Sequence, residues 1–210
     1  MTRLFLIRHG ETLSNIEQIY QGQGDSPLSE LGVSESRDLS GALKKEDFSA
    51  VYSSCLTRSN ETAKLIAGPH RKEVVKVSEL KERFYGDWEG LNFEEIKKKY
   101  PKVYGSWLEN PAKTAIPKAE ALEELQKRGV SAIEKLIDKH KGQTICVVGH
   151  GGINRTILFH YMNLELNNFW RIKQDNCCIN IIEFAKAPTV LLLNSTFFLG
   201  EKRMKGSGYY

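Results

Sequence analysis

Apolar residues occur along the chain in two alternating patterns, short runs and helical spacings. The runs predict buried strands at residues 4–7, 50–52, 74–77, 144–148, 179–184 and 190–193. Between them, residues 28–43, 122–137 and 153–161 each place apolar side chains on one face of a helix. In the first of these stretches the predicted apolar face includes Leu31 and Ala42. Strands that alternate with helices predict an α/β fold with a mostly parallel central sheet.

One segment does not follow this alternation. Residues 93–120 contain three prolines and no strand pattern, so we expect a small helical excursion over the active-site edge of the sheet. The chain has 210 residues, which is enough for one sizeable core and short for two domains. We therefore expect a single domain over residues 1–200 and a C-terminal tail over residues 201–210.

The composition is that of a soluble globular protein, with 40% hydrophobic and 27% charged residues. No apolar run approaches the roughly 20 residues of a membrane helix, and the first residues are too quickly charged for a signal peptide. The net charge of +4 is small and shows no nucleic-acid footprint. The four cysteines form no C-x-x-C pair and are interpreted as reduced thiols. These features predict a cytoplasmic protein without a nucleic-acid or membrane partner.

Reactive side chains follow four of the predicted strands. Arg8 and His9 follow the first strand, Arg58 the second, Glu82 the third and His150 the fourth. In open α/β sheets, ligands bind beyond the carboxyl ends of the strands. We therefore expect these five side chains to meet at one edge of the sheet.

This set of side chains suits phosphoryl transfer. A phosphate monoester carries about two negative charges near neutral pH, and arginines bind it through paired hydrogen bonds. Helices that begin near Thr57 and Gly151 add free N–H donors, and Gly10, Gly151 and Gly152 allow a close backbone approach to an anion. A neutral imidazole can attack phosphorus, and a carboxyl group can protonate the leaving alcohol.

The residues and their order resemble the histidine phosphatase superfamily, the phosphoglycerate mutase-like proteins. The resemblance spans most of the chain. It rests on L-I-R-H-G-E-T at 6–12, L-S-E-L-G at 28–32, S-S-C-L-T-R at 53–58, L-K-E-R-F-Y-G-D-W-E-G at 80–90 and V-V-G-H-G-G at 147–152. It implies a parallel sheet with helices on both faces, and a reaction that needs no metal and no cofactor.

The resemblance also implies roles for individual residues. His9 would accept the phosphoryl group, and Glu82 would act first as general acid and then as general base. Arg8, Arg58 and His150 would bind the phosphoryl oxygens. Further contacts with the substrate would come from Asn15, Gln21, Gly22 and Gly151. Glu79 and Glu89 are nearby carboxylates that could replace Glu82.

Three departures from the mutase pattern favour a phosphatase. Phe93 stands where mutases have lysine, Gly152 stands where they have asparagine, and residues 101–120 contain no arginine pair for a substrate carboxylate. We therefore expect a monomeric or homodimeric phosphomonoesterase that hydrolyses small-molecule phosphate esters through a phosphohistidine, with α-ribazole 5′-phosphate as one candidate substrate. The alternatives are a cofactor-dependent phosphoglycerate mutase and a non-catalytic protein that binds phosphorylated ligands.

Seven aromatic residues cluster around the excursion, between positions 84 and 107. They could form an apolar wall for an organic leaving group, or they could be the excursion's own core. We favour the core interpretation for any one of them, because aromatic side chains usually serve packing.

Overall fold

A single six-stranded sheet forms the centre of the computed structural model, which describes residues 1–203. Its strands are β1 (Thr2–Arg8), β2 (Phe48–Ser53), β3 (Val74–Lys76), β4 (Thr144–Gly149), β5 (Ile179–Phe184) and β6 (Pro188–Ser195). Their order is β3-β2-β4-β1-β5-β6. Strands β1 to β4 pair in parallel, whereas β5 pairs antiparallel with β1 and β6. The predicted mostly parallel sheet is confirmed, and each predicted apolar run lies in one strand, with β3 one residue shorter than expected.

The helices connect these strands. They are α1 (Leu13–Ile16), α2 (Glu30–Leu43), α3 (Thr57–His70), α4 (Phe93–Lys99), α5 (Pro101–Glu109), α6 (Leu122–Lys139) and α7 (Gly151–Tyr161). Short 3₁₀ turns cover Ser78–Leu80, Gly86–Trp88, Leu166–Arg171 and Phe197–Arg203.

Alternate residues of the central strands supply two hydrophobic cores, one on each face of the sheet. In β1, Leu4 and Leu6 pack into the core that α6 and α7 cover, whereas Phe5 and Ile7 pack into the core that α2 and α3 cover. The expectation of helices on both faces is therefore confirmed. Burial of one such side chain stabilises the fold by about 1.5–3 kcal/mol.

The predicted apolar face of α2 was partly wrong. Leu31 is 49% exposed and Ala42 is exposed, while the buried face carries Gly32, Ser36 and Leu39. Small residues are needed there because the helix approaches the backbone that follows β1. A Cβ atom at Gly32 would lie 2.0 Å from the Glu11 carbonyl oxygen.

The excursion after residue 92 consists of two helices, α4 and α5. Asn92 caps α4 by accepting a hydrogen bond from the Glu95 N–H, and Pro101 occupies the first turn of α5. Trp107 of α5 is fully buried against Phe169 and Trp170. Helices therefore form where the sequence predicted a helical excursion, and their packing fixes them against the rest of the chain.

Two further expectations concern a membrane partner and the C-terminal tail. In the part of the chain that the structure describes, no helix is long and apolar enough to cross a bilayer. Of the predicted tail, residues 204–210 lie outside the described residues.

Candidate active site

A cavity of about 320 Å³ opens beyond the carboxyl ends of the parallel strands. Eight of the nine predicted site residues line it: Arg8, His9, Asn15, Gln21, Gly22, Arg58, Glu82 and Gly151. The ninth, His150, is fully buried beside His9, with 5.1 Å between the two ring centroids. The structure thus brings together side chains that lie far apart in the sequence.

His9 follows the last residue of β1, and its ring is held in one orientation. Its Nδ1 atom lies 2.7 Å from the Gly10 carbonyl oxygen. A carbonyl can only accept, so Nδ1 carries the proton and donates it, and Nε2 keeps its lone pair. Burial, with Arg58 and Arg8 nearby, holds the pKa of His9 well below its usual value of 6.5. The imidazole is therefore neutral and nucleophilic at pH 7.

His150 is the residue before α7. Its Nε2 atom lies 2.7 Å from the Ser54 hydroxyl, while its buried Nδ1 atom has no hydrogen-bond partner among the described residues. Burial is the main cause that lowers the pKa of His150, and Arg58 and His9 lower it further. A buried polar atom without a partner costs about 1–3 kcal/mol, so Nδ1 suits a contact with a bound ligand.

Two arginines, Arg8 and Arg58, line the cavity together with His9. Arg58, in the first turn of α3, is 1% exposed and donates to the carbonyl oxygens of Gly24 at 2.8 Å and Gly22 at 2.7 Å. Burial lowers its pKa to about 10, so it remains charged at neutral pH. Arg8 donates to the Gln174 carbonyl oxygen. Backbone carbonyls orient both guanidinium groups, and the Asp25 carboxylate also lies 3.9 Å from Nη1 of Arg58.

Glu82 lies against the N-terminus of α7. Its carboxylate accepts hydrogen bonds from the N–H groups of Gly152 at 2.8 Å, Ile153 at 3.1 Å and Arg83 at 2.8 Å. A helix N-terminus attracts negative charge, which explains this position. Of the two alternative carboxylates, Glu89 accepts from the Gln23 and Tyr85 N–H groups, and Glu79 is exposed outside the cavity wall.

The predicted substrate-binding residues surround this centre. Asn15 accepts a hydrogen bond from Asn176 at 3.2 Å, and Asn176 also donates to the His9 carbonyl oxygen at 3.2 Å. Gln21 lines the cavity with a buried Oε1 atom that has no partner among the described residues. Gly22 has a φ of +53°, and a Cβ atom there would lie 1.8 Å from Oε1 of Glu89. A side chain at this position would therefore displace the Glu89 carboxylate.

The sequence analysis missed part of the cavity wall. Arg155, Trp170, Lys173 and Gln174 line it from α7 and from the segment that precedes β5. Arg155 could have been found by helical spacing, because it lies four residues after Gly151 and hence on the same face of α7. Nothing comparable in the sequence places residues 170–174 at the cavity.

The aromatic residues of the excursion divide between core and wall. Trp88 and Trp107 are fully buried in the core, whereas Tyr85, Phe93 and Tyr104 line the cavity. Each of the two interpretations of this cluster therefore holds for some of its members.

Metal ligands are a separate question. Within the described part of the chain, no group of three or more His, Cys, Asp or Glu side chains could hold a metal ion.

Comparison with known proteins agrees with this geometry. A family model for the histidine phosphatase superfamily (branch 1) matches residues 4–196. Phosphoserine phosphatase 1 of Hydrogenobacter thermophilus is 34% identical over 96% of this chain and 96% of its own length. The adenosylcobalamin/α-ribazole phosphatase of Escherichia coli is 31% identical, over 92% of this chain and 96% of its own length.

Solved structures give the same result. A phosphoserine phosphatase mutant from Entamoeba histolytica, solved in complex with phosphoserine, superposes with a TM-score of 0.86 at 29% identity, and covers 95% of this chain and 100% of its own. The relatives are phosphatases, so the predicted phosphatase branch and the class of phosphoric monoester hydrolases are confirmed. The chain belongs to the histidine phosphatase superfamily, branch 1.

Proposed function

We propose that the chain hydrolyses phosphate monoesters of small organic molecules through a phosphohistidine at His9. The observation that carries this proposal is the state of His9. Its Nδ1–H donates a hydrogen bond to the Gly10 carbonyl oxygen. The neutral ring lies in a cavity to which two arginines contribute positive charge. A neutral nucleophile beside a bound anion avoids the repulsion that an anionic nucleophile would meet.

In the first step, the lone pair on Nε2 of His9 forms a bond to phosphorus, and the bond between phosphorus and the ester oxygen breaks. Protonated Glu82 gives its proton to the leaving alcohol oxygen. Arg8, Arg58 and His150 stabilise the charge on the transferring group.

In the second step, water attacks the phosphohistidine. Glu82, now a carboxylate, takes a proton from this water, and the bond between phosphorus and Nε2 breaks. Inorganic phosphate leaves, while His9 returns to its neutral form and Glu82 to its protonated form. Every proton and bond is therefore restored after one turnover, without a further reactant.

The cavity volume favours a compact substrate. About 320 Å³ lies at the lower end of the roughly 300–1,000 Å³ that ligand cavities span. A small phosphorylated metabolite such as phosphoserine fits this volume better than a nucleoside-sized ester such as α-ribazole 5′-phosphate. The similarity to phosphoserine phosphatases supports the same choice.

The direct test is hydrolysis of p-nitrophenyl phosphate in the presence of EDTA. We expect wild-type activity to persist after metal removal and the His9→Ala variant to lose about a thousandfold or more, because the nucleophile is gone. The His160→Ala variant is the matched control, since His160 is an exposed histidine on α7. Equal rates for wild type and His9→Ala would refute the mechanism. An inactive wild type that still binds phosphate esters would favour a non-catalytic binding protein.

A further inference from the structure

Arg155 places a third guanidinium group in the cavity, and the proposed reaction does not use it. Its Nε atom donates to the Ile172 carbonyl oxygen at 2.7 Å. Its guanidinium carbon lies 5.0 Å from the ring centroid of Phe169 and 5.3 Å from that of Trp170. Contacts with a carbonyl and two aromatic faces orient the charged group but do not neutralise it.

The charge of Arg155 has no carboxylate partner within ion-pair distance among the described residues. Glu82 is the one carboxylate among the described residues of the cavity wall, and three N–H groups already occupy it. The remaining cation of the wall, Lys173, pairs with Asp175 at 2.9 Å. Burial and the nearby Arg8 lower the pKa of Arg155, and Tyr85 and Glu82 offset part of this effect.

Arg155 and Arg8 are held side by side by one extended segment. Ile172 accepts from Arg155, and Gln174, two residues later, accepts from Arg8. Arg8 also lies against the start of α7, since a Cβ atom at Gly151 would be 3.5 Å from its Nε atom. Arg155 is four residues further along this helix, a rise of roughly 6 Å. Arg155 therefore begins about one helical turn beyond the residue that Arg8 contacts, and its side chain lines the same cavity.

We propose that Arg155 forms a second anion subsite, which binds a carboxylate on the leaving group of the substrate. The proposal rests on the proposed function and narrows its substrate class to phosphate esters of small hydroxy or amino acids. Arg8 and Arg155 line the same cavity of about 320 Å³, so one compact ester can contact both guanidinium groups. A guanidinium group fits a carboxylate through two parallel hydrogen bonds.

The charges in the cavity agree with such a substrate. Arg58 has the Asp25 carboxylate 3.9 Å from its Nη1 atom, and Lys173 pairs with Asp175, whereas no carboxylate lies within ion-pair distance of Arg155 among the described residues. A carboxylate on the leaving group would supply that partner, whereas an ester with a neutral leaving group leaves Arg155 desolvated and without one.

Two substrate pairs that differ by one carboxylate test this subsite. The first pair is O-phosphoserine and O-phosphoethanolamine, and the second is 3-phosphoglycerate and glycerol 3-phosphate, which contains no amine. We expect wild type to favour the carboxylate member of each pair by tenfold to a hundredfold in kcat/KM. This is the fold-change that the free energy of a charge-assisted hydrogen bond produces. In Arg155→Met this selectivity ratio should fall by tenfold or more, and Arg155→Lys should retain part of it.

Arg171→Met is the matched control, because Arg171 is an exposed arginine that does not line the cavity. The kcat/KM selectivity ratio of this variant should equal that of wild type. Circular dichroism checks that each variant is folded. If Arg155→Met does not fold, the wild-type ratios and Arg155→Lys decide the question. An unchanged ratio in Arg155→Met, or a wild type without any preference for the carboxylate, would overturn the subsite.

A binding measurement separates this proposal from the proposed function. Calorimetric titration of the His9→Ala variant with O-phosphoserine and O-phosphoethanolamine requires no turnover. Tighter binding of phosphoserine, lost when Arg155→Met is added, supports the subsite even if wild type hydrolyses neither ester. Equal affinity for the two compounds contradicts the subsite even if p-nitrophenyl phosphate hydrolysis is rapid.

Discussion

The protonation state of His9 links the geometry of a single ring to the pH range of the reaction. The pKa of His9 lies well below 6.5 because the ring is buried beside Arg58 and Arg8. Protonation would remove the lone pair from Nε2 and stop the attack on phosphorus. Because the pKa is lowered, the neutral form persists as the pH falls through the range in which an ordinary histidine gains its proton.

We therefore expect no loss of activity centred at pH 6.5 on the acidic side of the profile. The measurement is kcat/KM for p-nitrophenyl phosphate between about pH 5 and pH 8, with ionic strength held constant. Activity should be maintained below pH 6.5 and fall only at a lower pH. A decline with a midpoint at about 6.5 would show that His9 titrates as if it were exposed.

At this same scale, the sequence predicted the cavity residues around His9 better than those around Arg155. Arg8 is the last residue of β1, and His9 and His150 directly follow β1 and β4, so strand ends alone place them at one edge of the sheet. Arg155 lies inside a helix and Trp170 in a 3₁₀ turn, where only the packed structure shows which way a side chain points. The part of the cavity that we propose to select among substrates is thus the part that sequence patterns predict least.

At the scale of elements, the start of α7 determines where Glu82 can act. The carboxylate lies against this N-terminus, and Gly152 leaves room for it. A Cβ atom at Gly152 would be 2.5 Å from Oε1 of Glu82 and 3.1 Å from its carboxyl carbon. These are closer than van der Waals contact, so any side chain at this position must displace the carboxylate.

We predict that Gly152→Ala lowers kcat by roughly tenfold or more for alkyl phosphates, because general acid catalysis contributes about 10²–10⁴. The loss should be smaller for p-nitrophenyl phosphate, whose leaving group needs less protonation. Rates for O-phosphoserine and p-nitrophenyl phosphate, measured on the same preparation, give this comparison. Gly41→Ala is the control, since a Cβ atom added to that helical glycine would have no neighbouring atom within 4 Å. Equal losses for both esters would exclude an effect on proton transfer.

The sequence predicted the existence of the helices better than their buried faces. The face of α6 was correct, because Leu122, Leu125 and Ile133 are all buried. The face of α2 was partly wrong, because Ser36 and Gly32 are buried where the periodicity favoured Leu31. Close contact between a helix and a neighbouring loop requires small side chains. The spacing of hydrophobic residues does not reveal where such a contact occurs.

At the scale of the whole molecule, the excursion and the sheet share one core. Trp107 from α5 packs in the same cluster as Leu4, Leu6 and Ile145 of the central strands. The guanidinium carbon of the buried Arg83 lies 4.6 Å from the Trp107 ring centroid, so this packing also reaches the residue next to Glu82. We therefore propose that residues 1–200 form one cooperative domain, in which the excursion is not an independent lid.

Urea unfolding monitored by two signals tests this cooperativity. All three tryptophans lie in or against the excursion, and Trp107 and Trp170 have ring centroids 5.3 Å apart, so fluorescence reports on that region. Far-ultraviolet circular dichroism reports on all helices, including α2 and α3 on the opposite face of the sheet. If the core is shared, both signals should give one midpoint.

The Trp107→Ala variant makes the test sharper. Removing this buried ring should lower the free energy of unfolding by about 3–5 kcal/mol, and both midpoints should shift together because one core is weakened. Lys102→Ala on the exposed face of α5 should change the free energy by no more than about 0.5 kcal/mol. If the fluorescence midpoint alone moved, the excursion would unfold separately from the sheet.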